Sequence, residues 1–177
     1  MKQLFTIGHS TRSLEDFLSL LTGNHLHCLV DVRTVPYSRR VPWFNRENLA
    51  FVCQKNQIVY YHMPQLGGFR KPSRTSINTG WINSGFRGFA DYMQTADFFR
   101  ALKELNQLVN ADKTVIVCAE ALPWRCHRSL IADAEVIRSY HVKHILNRNS
   151  MLDHHLTAFA KIMPRTRPKK LYYPKAA

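Results

Sequence analysis

Short apolar runs alternate with segments of helical periodicity along most of this chain, and this alternation limits the folds that it can adopt. Residues 114–118 (TVIVC) are the most strand-like run, and residues 128–140 after them carry apolar side chains on one helical face. Similar apolar runs predict four further strands, at residues 4–7, 28–30, 58–62 and 142–146. Helical segments are expected between and after them, at residues 14–21, 46–55, 90–109 and 151–162. This order predicts an α/β fold in one domain, with a mainly parallel five-stranded sheet and helices on both faces.

The domain is expected to span residues 1–162, followed by a basic flexible tail at 163–177. It contains an irregular insertion at 64–89, which holds five of the seven glycines. A chain of 177 residues can bury a core without disulfide or metal staples. Because no signal peptide or membrane-spanning run is apparent, we expect a cytoplasmic protein without a membrane partner, whose four cysteines are free thiols.

The charge of the chain is strongly positive, at +13 from 25 Lys and Arg against 12 Asp and Glu. Six of these cations follow residue 160 with no acid among them, so 19 cations against 12 acids leave +7 on the rest of the chain. The excess is therefore not confined to the C-terminus. Such a charge attracts polyanions, which predicts nucleic acid or another anionic substrate as the partner, although it can also serve solubility alone.

Polar residues follow four of the predicted strands, at the edge where ligands bind in open α/β sheets. We expect these side chains to form one shared site, although each can also be a structural residue. In chain order the candidates are His9 and Ser10, Asp31 and Arg33, Gly67 and Gly68, and Cys118 and Glu120.

The string CAEALPWRCHRS, from Cys118 onward, carries most of the potential chemistry. Arginines, a histidine and a helix start near a cysteine lower the pKa of a thiol and favour the thiolate, and here Arg125, His127 and Arg128 surround Cys126. Two cysteines and a histidine can also bind zinc, but the seven-residue spacing is longer than a usual zinc knuckle, so no metal and no other cofactor is predicted. Alternatively, both cysteines are packing residues.

Basic and aromatic residues are interleaved in two loops, a composition typical of contacts with single-stranded nucleic acid. Arg39 and Arg40 precede the pair Trp43 and Phe44, and the insertion at 64–89 has several arginines and aromatics but no acid. Trp81 is the expected stacking residue. The alternative is that these aromatics form a small core of their own.

The order of several motifs resembles the domain-of-unknown-function family numbered 488. They are TIGHS, LVDVR, LGG, the GFADYM segment at 88–93, VCAE and CHRS, and the resemblance covers residues 3 to about 150. The resemblance implies a small α/β domain and marks the residues of these motifs as candidate site residues. The family name assigns no activity. The chain also resembles rhodaneses and cysteine phosphatases more weakly, but its loop between Cys118 and Arg125 is longer than the anion-binding loop of those families.

Two hypotheses follow from these patterns. In the first, the chain is an enzyme acting on an anionic substrate, a nucleotide or nucleic acid. Its catalytic candidates are Cys118, Glu120, Cys126, His127, Asp31 and His9, and its substrate-binding candidates are Ser10, Arg33, Arg39, Gly67, Gly68, Arg125 and Arg128. In the second, it is a non-catalytic nucleic-acid-binding module with structural cysteines. The acids beside the arginines favour the enzyme, because proton transfer needs them and phosphate binding does not.

Overall fold

The computed structural model describes residues 2–175 and contains a six-stranded sheet of order β3-β2-β4-β1-β5-β6. Its first five strands run parallel and lie where the sequence predicts them. They are β1 (Gln3–Gly8), β2 (Cys28–Asp31), β3 (Val59–His62), β4 (Thr114–Cys118) and β5 (His141–Asn147). The predicted α/β fold is confirmed, with one more strand in this sheet than expected.

Helices cover both faces of the sheet, because side chains of each strand alternate between two cores. The helices α1 (Leu14–Gly23) and α2 (Arg46–Lys55) pack on one face, against Phe5 and Ile7 of β1. The other face, which includes Leu4, is covered by three helices. They are α3 (Ser84–Tyr92), α4 (Ala96–Ala111) and α5 (Arg128–Val136). No helix in residues 2–175 is long and apolar enough to cross a membrane.

The predicted helix at 151–162 is wrong. Instead β6 (Ser150–Asp153) forms a hairpin with β5 and is the antiparallel edge strand of the sheet. The turn contains an Asn147 side chain whose Oδ1 accepts from the Asn149 backbone N–H at 2.9 Å. Such a local turn favours a hairpin over a continuing helix.

The prediction of a flexible tail from residue 163 does not hold where the chain returns to the domain. Two short strands, β7 (Lys161–Ile162) and β8 (Leu171–Tyr172), pair antiparallel. Tyr173 is fully buried, and its hydroxyl donates to Asp133 of α5 at 2.9 Å. The segment stays packed because it supplies an apolar side chain to the core; Ala176 and Ala177 lie outside the described residues.

The insertion at 64–89 is irregular up to α3, which begins inside it at Ser84. Trp81 stacks on Phe86 with ring centroids 4.7 Å apart and meets Phe159 edge-on at 4.9 Å. Its indole nitrogen is buried. This ring therefore belongs to a small core and does not offer a free face to a nucleic-acid base.

Candidate active site

The carboxyl ends of β2, β4 and β1 meet because these strands are neighbours in the sheet. Pairing continues past the strands, since the backbone N–H of His9 donates to Cys118 O at 3.0 Å and that of Ser10 to Ala119 O at 2.9 Å. Gly8 permits this close approach, because a Cβ there would lie 2.0 Å from the Glu120 carbonyl oxygen. The loops after β1 and β4 are thereby held side by side.

A buried polar cluster lies beneath this edge. Arg33 donates to the Asp31 carboxylate from Nε at 2.8 Å and from Nη2 at 2.5 Å, and Tyr60 donates to the same carboxylate at 2.8 Å. Asp31 is fully buried and Arg33 is 6 % exposed. Both charges are satisfied by each other, so the pair fixes the loop after β2.

His9 completes this cluster as a neutral ring. Its Nδ1 donates to the Ser10 carbonyl at 2.9 Å, and its Nε2 accepts from Arg33 Nη1 at 3.1 Å. Burial lowers the pKa of His9 to about 4. Because both ring nitrogens are bonded and the ring stays neutral near pH 7, His9 positions Arg33 and is poorly suited to carry a proton.

Cys118 and Cys126 face each other where β4 ends and α5 is about to begin. The Cys126 sulfur, which is almost fully buried, accepts from Arg128 Nε at 3.3 Å. His127 Nδ1 lies 3.7 Å from the same sulfur. Two cationic or donating groups therefore converge on one sulfur atom.

The Arg128 guanidinium is buried below the cavity and holds the thiol loop. It is 1 % exposed. Its Nε donates to the Cys126 sulfur, and its Nη2 donates to the Glu120 carbonyl at 2.5 Å. The sequence predicts that Arg128 binds substrate, whereas in the structure its guanidinium contacts the Cys126 sulfur. A buried guanidinium with the sulfur as its counter-charge favours the thiolate.

The two facing thiols differ in acidity. A hydrogen bond from Cys118, with further contributions from His127 and Arg128, lowers the pKa of Cys126 well below its ordinary value although burial opposes it. The same hydrogen bond and burial raise the pKa of Cys118, which keeps its proton. Burial also raises the pKa of Cys28, and that of Cys53 to about 12. Cys126 is therefore the thiolate of this pair, and the other two cysteines pack in the cores.

A cavity of about 560 Å³ opens above the thiol pair. Eight of the sequence candidates line it: Ser10, Arg33, Gly68, Cys118, Glu120, Arg125, Cys126 and His127. Glu120 lies exposed at the mouth, and Gly68 packs so closely that a Cβ would lie 2.5 Å from His127 Nδ1.

The remaining candidates do not line the cavity. His9, Asp31 and Arg128 are buried below it, and Arg39 is exposed elsewhere. Gly67 packs against the loop after β2, where a Cβ would lie 2.2 Å from Thr34 Oγ1. These residues shape the site from behind or stand apart from it.

Sequence reasoning did not single out three residues of the cavity wall: Thr34 and Val35, which follow β2, and Asn83, which precedes α3. Phe69 and Phe86, also in the wall, are among the aromatic residues of the insertion that the sequence indicated. Phe69 is 82 % exposed, which is unusual for so large an apolar side chain.

The ligand atoms of Cys118, Cys126 and His127 lie within 4.8 Å of one another, so this group can hold a metal ion. The Arg128 guanidinium places a fixed positive charge 3.3 Å from one of these sulfurs. That charge stabilises a bare thiolate and opposes a second cation beside it.

A protein-family model described as "Domain of unknown function DUF488" matches residues 13–135, well over half of the chain. The match confirms the family that the motifs indicate, and it includes the thiol pair and the loop after β2. No curated protein and no solved structure matches the chain.

Proposed function

The chain belongs to the DUF488 family, and we propose that it is an enzyme whose nucleophile is the Cys126 thiolate. Its substrate is anionic, a nucleotide or a nucleic acid, and binds in the cavity above the thiol pair. The observation that carries this proposal is the Arg128–Cys126 contact of 3.3 Å at the floor of that cavity.

A structural cysteine does not need these surroundings. Cys53 is buried among apolar side chains, and burial keeps its proton in place. Cys126 instead has a buried guanidinium, an imidazole and a second thiol around its sulfur. Stabilising a thiolate where a ligand can reach it is the arrangement that nucleophilic catalysis by cysteine requires.

In the proposed reaction the Cys126 thiolate attacks an electrophilic atom of the substrate. A bond from sulfur to that atom forms, and the bond to the leaving group breaks with its electron pair going to the leaving group. His127 gives a proton to the leaving group. A water molecule then displaces the sulfur and returns a proton to His127, which regenerates the thiolate.

The cavity wall supports a substrate that combines negative charge with an apolar part. Arg125 supplies a guanidinium, whereas the charge of Arg33 is largely neutralised by Asp31. Val35, Phe69 and Phe86 supply apolar and aromatic surface. Phosphate recognition by arginine and base contact by aromatic side chains are the features that nucleotide binding uses.

The test compares binding with turnover. Wild-type protein, Cys126→Ser and the control Cys53→Ala are incubated with a panel of mononucleotides and short single-stranded DNA and RNA oligonucleotides. Chromatography follows substrate consumption, intact-protein mass spectrometry follows the covalent intermediate, and titration calorimetry follows binding. We expect wild type and the control to consume at least one compound, and Cys126→Ser to bind it without consuming it.

Two outcomes would contradict the proposal. Consumption that persists unchanged in Cys126→Ser removes the nucleophile. Binding of oligonucleotides with no consumption of any compound identifies the chain as the alternative, a nucleic-acid-binding module with structural cysteines.

A further inference from the structure

A second cavity, of about 570 Å³, lies between α4 and the C-terminal segment that leads into β8. It shares no lining residue with the cavity above the thiols. Arg100 and Lys103 of α4, Arg138 after α5, and Arg167 and Lys170 of the C-terminal segment line it. Three separate parts of the chain thus place five cations around one space.

Two of these cations are held in place on the Phe99 ring. The Arg138 guanidinium lies 5.3 Å and the Lys170 ammonium 5.8 Å from its centroid. Lys170 Nζ also donates to Gln94 O at 2.8 Å, and Arg138 Nη2 donates to Lys169 O at 2.8 Å. The charge of these two side chains is therefore preorganised at the cavity.

Little negative charge offsets these cations. No carboxylate lines the cavity within the described part of the chain, and Asp97 pairs with Arg100 at the rim. The carboxyl group that interacts with Arg138 is that of Glu135, which is fully buried. Burial raises the pKa of Glu135 to about 8, so this group is mostly neutral near pH 7.

We propose that this cavity is a second binding site, which takes phosphate groups, and that a nucleic-acid backbone supplies them. Clustered arginines and lysines with unmatched charge recognise phosphate oxygens, and repeated phosphates along a strand match a site lined from three sides. The apolar surface of Phe99 and Pro168 accommodates the sugar and base beside the phosphate. The C-terminal segment is thereby part of a built site.

The experiment measures binding of a fluorescent 12-nucleotide oligo-dT by anisotropy at several salt concentrations. The test variant carries both Lys103→Gln and Arg167→Gln. Both side chains are exposed, so these substitutions should not disturb the fold. The control, Lys55→Gln with Lys113→Gln, removes the same charge from exposed positions outside this cavity.

We expect the test variant to bind at least about tenfold more weakly at low salt, and the slope of log K against log salt to fall by about 1.4, the value for two lost contacts with a single strand. The control should change affinity by less than about twofold. Equal losses in both variants would mean that net charge alone attracts the strand and would overturn the proposal, as would an absence of binding by wild type to every phosphate probe.

Sodium tripolyphosphate, used as a second probe, distinguishes the source of the phosphate. If tripolyphosphate competes with oligo-dT, and the test variant weakens this competition, both probes bind one site and the nucleic-acid backbone is supported. If tripolyphosphate binds, the test variant weakens that binding and oligo-dT does not bind at all, the phosphate site stands but a nucleic-acid backbone is not its ligand.

Discussion

Replacing the buried Glu135 by glutamine should change how the stability of the protein depends on pH. Burial raises the pKa of Glu135 from its ordinary 4.5 to about 8, although Arg138 and Asn106 oppose this shift. Between these two values the folded protein keeps a proton that the unfolded chain has released. The free energy of unfolding therefore falls as pH rises through this window, and the contribution is fully present only below about pH 4.5.

The magnitude follows from the width of the window. At about 1.36 kcal/mol for each pH unit, a pKa raised from 4.5 to about 8 corresponds to a loss of about 5 kcal/mol across the window. Glutamine is neutral in both states, so Glu135→Gln removes this contribution. Between about pH 5.5 and 7.5, wild type should lose about 3 kcal/mol relative to the variant.

The assay is urea denaturation of both proteins at four pH values across this range. Glu104→Gln serves as the control, because Glu104 is exposed on α4 and its replacement should leave the pH dependence of wild type unchanged. If wild type and Glu135→Gln show parallel free energies of unfolding against pH, Glu135 is not a buried neutral acid and the reasoning fails.

Two further predictions concern the packing around the site and the C-terminus. Gly68→Ala would place a Cβ 2.5 Å from His127 Nδ1, so we expect His127 to move, the pKa of the neighbouring thiolate to rise and its alkylation near pH 6 to slow. Gly23→Ala, where nothing lies within 4 Å, is the control, and equal alkylation rates in both variants would contradict this. Tyr173→Phe removes a buried hydrogen bond to Asp133 and should lower the free energy of unfolding by about 1–3 kcal/mol in urea denaturation. An unchanged midpoint would mean that this segment does not stabilise the domain.

The parallel strands could be predicted because buried strands need short, nearly continuous apolar runs, and the run at 114–118 is such a sequence. The segment after β5 was misread because Met151 and Leu152 also fit helical spacing. What decides its structure is the turn at Asn147, together with an open sheet edge that only the assembled fold presents. Likewise, a basic composition after residue 162 predicted a tail, whereas two buried side chains, Leu171 and Tyr173, return it to the core.

For the site, the sequence revealed the residue types at the strand ends but not the role of each residue. Adjacent strands bring the loops together, so Cys118, Glu120, Cys126 and Arg33 line one cavity. That Arg128 turns inward to the sulfur depends on burial from several elements, which a local pattern does not contain.

The buried contacts of Asp31, at the end of β2, could not be predicted from the sequence either. Tyr60 donates to Asp31 from the neighbouring strand, a contact set by the register of β2 and β3. His9 looked like a proton carrier by residue type, but its two hydrogen bonds and its burial give it a positioning role.

The most direct test of a thiolate at Cys126 is its rate of alkylation by iodoacetamide as a function of pH, with each modified cysteine assigned by peptide mass spectrometry. A free thiol has a pKa of about 8.5, so its rate falls about tenfold per pH unit below that value. We predict that the alkylation rate of Cys126 stays nearly constant on going below about pH 8, over a range in which the rate of an ordinary thiol falls steeply. Cys28 and Cys53 should stay unmodified in the folded protein. Reaction of Cys126 only above about pH 8 would contradict the account, because the Arg128 contact would then not stabilise a thiolate.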